Sequence, residues 1–283
     1  INITVDWEHN FSAGQTPRGK FVTRKRVHHC WHRNYLLQRR HENAPHAHRA
    51  ATSSTDGTSV RIVVAKQAVT LAVYSGGGGV GRTFVATNLA VSLHQQDVGR
   101  ILLIDASYPI PGEAVGLTGV ERSKSLADMA PLLGRFSPAL FESYLTAAPD
   151  GLTVMPLLTK VLQAPFLTGD LLARGFELAR ETFDLIVVDL PSGVGPYTRP
   201  ILERSDDICL VSDCTSAALL RAQACMDYLR SEQIPLAAQV FCANRIPEQG
   251  WIGAERLAKL VGVPVMAVLP NDPEATLDAA EKR

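Results

Sequence analysis

Apolar and polar positions follow two regular patterns from about residue 60 onward. Short apolar runs, typical of buried strands, are separated by stretches with apolar residues every three or four positions, typical of amphipathic helices. The predicted strands cover residues 69–75, 100–105, 152–156, 183–189, 207–212, 237–243 and 263–269. The predicted helices cover residues 83–94, 137–147, 167–182, 198–204, 217–231 and 254–261. This alternation predicts an α/β fold with a doubly wound, mostly parallel sheet that is covered on both faces.

Residues 1–60 follow neither pattern. They carry nine Lys or Arg, four Asp or Glu and seven of the eight histidines. We therefore predict a basic, histidine-rich and poorly ordered N-terminal extension, followed by one α/β domain over residues 61–283. A leader that binds a metal or a nucleic acid is the alternative for such a composition.

The overall composition excludes several classes of protein. Lys plus Arg equals Asp plus Glu, 28 against 28, and residues 61–283 carry a net charge of −5, so we do not expect DNA as a partner. No apolar run approaches the roughly 18 residues of a membrane span, and no signal pattern is present. The five cysteines lack metal or disulfide spacing, which indicates buried thiols in a reducing cytoplasm.

A glycine-rich loop joins the first predicted strand to the first predicted helix. It fits the pattern G-x-x-x-x-G-K-[ST] from Gly76 to Thr83, except that Arg82 replaces the lysine. Strand, glycine loop and helix together point backbone N–H groups and a helix N-terminus at one anion. The alternative is a plain flexible turn. The loop predicts a nucleotide phosphate site, with the Thr83 hydroxyl on Mg²⁺ and the phosphates held by Gly77, Gly78, Gly79, Val80, Gly81, Arg82 and Thr83.

Two predicted strands end in an aspartate. Asp105 follows Leu102-Leu103-Ile104, and Asp189 follows a run of apolar residues over 185–188. Carboxylates at strand ends near a phosphate loop suit a hydrated Mg²⁺ ion, so Asp105 and Asp189 are predicted metal-site residues together with Thr83. Each could alone be an ordinary strand-ending aspartate.

The segments SGGGGVGRT, ILLIDAS, FDLIVVDLPSG and VFCANR resemble the MinD/ParA branch of the P-loop ATPases, the deviant Walker A group of the SIMIBI class, over roughly residues 68–283. The resemblance implies ATP and Mg²⁺ as cofactors and a homodimer. The family's loop reads KGGVGK[ST], and its two lysines correspond here to Gly77 and Arg82. The first lysine reaches the partner's nucleotide across the dimer, which Gly77 cannot do. Arg82 keeps the charge of the second lysine but has a planar head with a different reach, so we expect weakened but retained nucleotide binding.

The resemblance also assigns roles downstream of the loop. The family's D-x-D motif corresponds to Asp105-Ala106-Ser107, so Ser107 stands where a carboxylate orients the attacking water, and its neutral hydroxyl is no comparable base. Residues 191–193 resemble the switch segment that senses the γ-phosphate. Asn244, with Arg245 beside it, is implied to contact the adenine edge, and Pro270 is implied to begin the loop over the base. We expect hydrolysis to be slow or absent.

Residues 125–141 and 148–156 are similar to the CpaE/TadZ pilus-assembly branch. This resemblance predicts a positioning or assembly factor for a type IV/Tad-like pilus, with pilus or polar-localisation proteins as partners. The sequence shows no basic amphipathic helix of the kind that anchors septum-positioning members, so we expect no direct membrane anchor and recruitment by partners instead. The alternatives are an active ParA/MinD-type ATPase in chromosome partitioning or septum positioning, and a scaffold that no longer binds nucleotide.

Overall fold

A computed structural model describes residues 68–234 and 238–274 of the chain. Its strands are β1 Val69–Tyr74, β2 Ile101–Asp105, β3 Thr146–Ala147, β4 Thr153–Pro156, β5 Leu185–Asp189, β6 Asp207–Ser212, β7 Ala238–Ile246 and β8 Val265–Pro270. Its α-helices are α1 Arg82–Gln95, α2 Pro138–Glu142, α3 Gly169–Thr182, α4 Thr198–Leu202, α5 Ser216–Ser231 and α6 Ala254–Val261. Short 3₁₀ helices cover Gly116–Thr118, Leu126–Arg135 and Val161–Phe166.

The strands form one eight-stranded sheet in the order β3-β4-β2-β5-β1-β6-β7-β8. Every pair is parallel except β3 with β4. The register places Asp105 of β2 opposite Asp189 of β5. The predicted doubly wound, mostly parallel fold is confirmed. The carboxyl ends of β2, β5 and β1, which are neighbours in the middle of the sheet, lie side by side along its carboxyl edge.

Successive residues of the central strands pack on opposite faces of the sheet, as the pleat requires. Leu102 and Ile104 belong to one hydrophobic cluster, whereas Ile101 and Leu103 belong to the other. Helices α3 to α6 contribute to the first cluster, and α1 packs on the second. The sheet is therefore buried on both sides, which explains why β2 and β5 are apolar at every position before their terminal aspartates.

The region predicted as a helix over 137–147 is only partly helical. Helix α2 ends at Glu142, and β3 then pairs antiparallel with β4 at the edge of the sheet. The turn between these strands passes through Gly151, whose φ of 93° favours glycine. The prediction was wrong here because Pro149-Asp150-Gly151 forms a hairpin turn that reverses the chain.

Strand β7 is longer than predicted and contains a bulge. The predicted strand stopped at residue 243, but the ladder resumes where Ile246 pairs with Pro270 of β8. Asn244 and Arg245 lie in the irregular part between Ala243 and Ile246, where Arg245 has a positive φ of 55°. A bulge turns side chains away from the regular alternation, and here it directs both residues to the glycine loop.

The predicted extension over residues 1–60 lies outside the described residues. The boundary proposed at residue 61 lies outside them as well and stays a prediction. Within the part of the chain that the structure describes, no helix combines the length and the apolar character needed to cross a bilayer.

Candidate functional site

The glycine loop connects β1 to α1 at the shared edge of the sheet. Helix α1 begins at Arg82, and Gly81 before it has a φ of 84°. Gly79 has a φ of 82°. Both angles lie in the left-handed region that side chains rarely adopt, so these positions favour glycine. The loop therefore leads into a helix N-terminus, an arrangement that binds anions through free backbone N–H groups.

The loop is packed closely against two neighbouring elements. A Cβ on Gly76 would overlap the backbone carbonyl of Arg221 in α5. A Cβ on Gly81 would overlap the side-chain amide of Asn244 in β7. The loop is thus fixed from both sides before any ligand binds.

Asn244 and Arg245 donate hydrogen bonds to the backbone of the loop. The buried Asn244 Nδ2 donates to the Val80 carbonyl at 2.8 Å, and Arg245 Nη1 donates to the Gly79 carbonyl at 2.6 Å. The resemblance implies a contact between Asn244 and the adenine edge. In the structure the Asn244 amide supports the loop itself, and its role toward a base stays a prediction.

Arg82 forms an ion pair with Asp189. Its Nε lies 2.8 Å from Asp189 Oδ1, and its Nη1 donates to Ser75 Oγ at 3.4 Å. The Asp189 side chain is fully buried and that of Arg82 is 14% exposed. The cation at the lysine position thus points to the carboxylate at the end of β5.

Burial raises the pKa of Asp189 because the ionised carboxylate loses its hydration. The neighbouring Arg82 guanidinium opposes this shift most strongly; the Asp105 carboxylate adds to it and the Thr83 hydroxyl lowers the pKa. Asp189 Oδ2 is buried and has no hydrogen-bond partner among the described residues. An orphaned carboxylate oxygen close to a hydroxyl fits a hydrated Mg²⁺ ion, so Thr83 and Asp189 fit their predicted metal roles.

Asp105 holds the loop that follows β2. Its Oδ1 accepts from the Ser107 N–H at 3.1 Å, and its Oδ2 accepts from the Ala114 N–H at 3.0 Å. Gly112 covers both side chains, because a Cβ there would overlap Ser107 Oγ and lie 2.5 Å from Asp105 Oδ1. Asp105 therefore has a structural task that the sequence did not indicate. Its predicted metal and catalytic roles stay predictions.

The segment after β5 is tied to the start of the glycine loop. The Gly193 N–H donates to the Ser75 carbonyl at 3.3 Å, and the Tyr74 hydroxyl donates to the Gly193 carbonyl at 2.8 Å. Burial raises the pKa of Tyr74, so this hydroxyl stays a donor. A movement of residues 191–193 would therefore change the hydrogen bonds that join this segment to the end of β1.

A cavity of about 360 Å³ is lined in part by Arg245, the residue that donates to the Gly79 carbonyl of the loop. Its volume is at the lower end of the roughly 300–1,000 Å³ of ligand pockets. Its lining residues lie at or after the carboxyl ends of β6, β7 and β8; they are Asp213, Cys214, Thr215, Arg245, Pro247, Gly250, Trp251, Ile252 and Asn271. Pro270 ends β8 and is exposed, and the residue after it lines the cavity.

Sequence reasoning found Arg245 and, in the loop that begins at Pro270, Asn271, but it missed the other lining residues. A usable signal was their position after strand ends, where parallel sheets bind ligands. It also missed Arg221, which contacts the loop from α5. Within the described ranges, no group of three His, Cys, Asp or Glu residues could hold a metal ion.

Comparisons with known proteins agree with this architecture. The family model ParA, described as NUBPL iron-transfer P-loop NTPase, matches residues 66–282. An iron-sulfur cluster carrier protein of Pyrococcus horikoshii is 27% identical over 233 residues, which cover 72% of this chain and 75% of the relative. The flagellum site-determining protein YlxH of Helicobacter pylori is 27% identical over 195 residues, which cover 67% of this chain and 63% of that relative.

Solved structures share the fold. A ParA family ATPase from Chlorobium tepidum superimposes with a TM-score of 0.68 at 22% identity, covering 75% of this chain and 88% of that one. The septum site-determining protein MinD of Pyrococcus horikoshii, in complex with Mg-ADP, gives a TM-score of 0.63 at 20% identity. The match covers 76% of this chain and 86% of that one.

Proposed function

The chain belongs to the ParA family of P-loop NTPases, and we propose that it is an ATP-binding positioning or assembly factor that hydrolyses ATP slowly or not at all. ATP would lie along the carboxyl edge of the sheet. Its phosphates would be held by the N–H groups of residues 78–83, and its base would enter the cavity beside Arg245. Thr83 and Asp189 would hold Mg²⁺, which neutralises phosphate charge when bound.

One observation supports the proposal of slow hydrolysis: both oxygens of Asp105 and Oδ1 of Asp189 are already engaged by the chain itself. Asp105 accepts two backbone N–H bonds, and Asp189 pairs with Arg82. Position 107, where the resemblance calls for a third carboxylate, holds a serine. A hydroxyl can hydrogen-bond a water molecule, but it does not accept a proton as a carboxylate does.

The cellular role that we favour is the assembly or positioning of a type IV/Tad-like pilus. The similarity of residues 125–141 and 148–156 to the CpaE/TadZ branch supports it, as does a relative named for determining the site of a flagellum. We expect a homodimer that pilus or polar-localisation proteins recruit to its site of action.

Iron-sulfur cluster carriage, named for another relative, gains no support from the described residues. Protein clusters are held by cysteine thiolates, whereas burial raises the pKa of Cys225, and contact with Cys209 raises that of Cys242. Chromosome partitioning or septum positioning by an active ATPase is the remaining candidate, and hydrolysis stimulated by DNA would favour it.

The pilus role is tested by replacing the chromosomal gene in the native host with an Arg82→Ala variant. We expect surface pili, counted by electron microscopy, to be lost while growth and cell division stay normal. Arg122→Ala is the matched control, because Arg122 is exposed and lies outside the site. Normal piliation of the Arg82→Ala strain, or a defect in chromosome segregation instead, would contradict the proposal.

A further inference from the structure

The side chain of Arg221 occupies the space next to Gly77 of the glycine loop. A Cβ built on Gly77 would overlap Nε of Arg221 and would lie 2.9 Å from its Cδ and 3.2 Å from its Cζ. Gly77 itself does not have a positive φ. The backbone of Gly77 therefore does not call for glycine, and its missing side chain leaves the space that the Arg221 side chain fills.

Helix α5 holds Arg221 at this point of the loop. The helix begins after Thr215, whose hydroxyl accepts from the Ala218 N–H, and its buried face includes Leu219 and Ala222. Arg221 lies between these two residues in the sequence, but it is on the opposite, exposed face of the helix. Its carbonyl contacts Gly76, so the helix and the loop touch through their backbones and the arginine is positioned by both.

Arg221 differs from the two other arginines at the loop in what it binds. Arg82 pairs with Asp189, and Arg245 donates to the Gly79 carbonyl. Arg221 makes no side-chain hydrogen bond or ion pair with any residue of the described ranges. An exposed guanidinium beside a loop of free N–H groups is a ready partner for a phosphate oxygen, since its planar fork suits two parallel hydrogen bonds.

We propose that Arg221 binds the phosphate chain of the nucleotide, supplying from α5 a positive charge that Gly77 cannot carry. The inference rests on the proposed function, because it needs a nucleotide in the loop. Gly77 and Arg221 then act as a pair, because the glycine leaves a space beside the loop and the Arg221 side chain occupies it with its positive charge. Any side chain at position 77 displaces the arginine.

The test measures the dissociation constant for ATP with Mg²⁺ on the full chain by titration calorimetry. Arg221→Ala removes a charge-assisted contact and should raise the constant by about tenfold or more. The matched control is Arg230→Ala, which removes the same charge from the far end of α5, where Arg230 pairs with Asp227. That control should bind ATP as the unaltered protein does, and circular dichroism verifies that both variants are folded.

A second variant relocates the charge. In the Arg221→Ala background the space beside Gly77 is empty, so adding Gly77→Lys should restore most of the lost affinity. An Arg221→Ala protein that binds ATP as tightly as Arg230→Ala overturns the inference while leaving the proposed function intact. If the unaltered protein itself binds no ATP, the proposed function fails and the inference fails with it.

Discussion

On the scale of single residues, Arg82 and Asp189 form the most buried ion pair of the site. Breaking such a pair by removing one partner leaves a buried charge without compensation, which is costly. Arg82 therefore does more than stand in for a lysine. Its guanidinium lowers the pKa of Asp189 in a place where burial raises it.

Arg82→Gln is expected to lower the free energy of unfolding by about 3 kcal/mol near neutral pH. Without Arg82 the pKa of Asp189 rises further, so between its unfolded and folded pKa values the folded state binds more protons than the unfolded state. Stability then falls as pH rises through that range, and the deficit should be larger at about pH 8 than at about pH 5. Urea unfolding at both pH values measures it.

The control for this substitution is Arg174→Gln, which breaks an exposed pair with Glu177. Exposed pairs contribute at most about 1 kcal/mol, so this variant should change little at either pH. A deficit in Arg82→Gln that is no larger than in Arg174→Gln would show that the buried pair does not stabilise the fold.

The sequence allowed part of this residue-scale picture to be predicted. Residues 76–83 form a local motif, so their spacing alone indicates a loop before a helix, and Asp189 was recognisable as a strand end. The partner of Arg82 was not predicted, because an ion pair between distant segments depends on how the strands are ordered in the sheet. Arg221 was missed for the same reason: its contact with Gly76 exists only after α5 packs beside β1.

On the scale of elements, apolar periodicity predicted the parallel strands well, because they are buried on both faces and read as continuous apolar runs. The same periodicity failed at β3, the outermost strand on one side of the sheet, and at the bulge in β7. Strand β3 has only two residues, too short to show a period, and the bulge in β7 cannot be read from alternation. That bulge matters for the site, since it brings Asn244 and Arg245 to the loop.

The loop after β6 offers a test of where the base lies. Cys214 lines the cavity and is partly exposed, and burial and then Asp213 raise the pKa of its thiol. Because the thiolate is the reactive form, alkylation of Cys214 should be slow near neutral pH and faster at higher pH. Saturating ATP with Mg²⁺ should slow it several-fold further, as measured by peptide mass spectrometry.

The buried Cys242 serves as the internal control, because it should remain unlabelled with and without nucleotide. AMP, which carries the base with one phosphate, should protect Cys214 only at much higher concentration. Unchanged labelling of Cys214 at an ATP concentration that raises the melting temperature would place the base outside this cavity.

On the scale of the whole molecule, one edge of the sheet gathers the glycine loop, two aspartates, three arginines and a cavity from segments spread over the chain. Parallel sheets bind ligands at this edge because the strands and the helix N-termini converge there. The residues that we propose to bind the nucleotide contact one another, whereas position 107 holds a serine and no carboxylate. We therefore predict a protein that holds ATP but rarely cleaves it.

The most direct measurement titrates the purified protein with ATP and Mg²⁺ and follows binding and phosphate release in the same sample. Saturable binding is expected, with release far below the roughly 1 s⁻¹ at the low end of typical enzymes. Ser107→Asp should release phosphate about tenfold faster or more than its uncharged match Ser107→Asn. Phosphate release by the unaltered protein at ordinary enzyme rates, or the absence of saturable binding, would contradict the account.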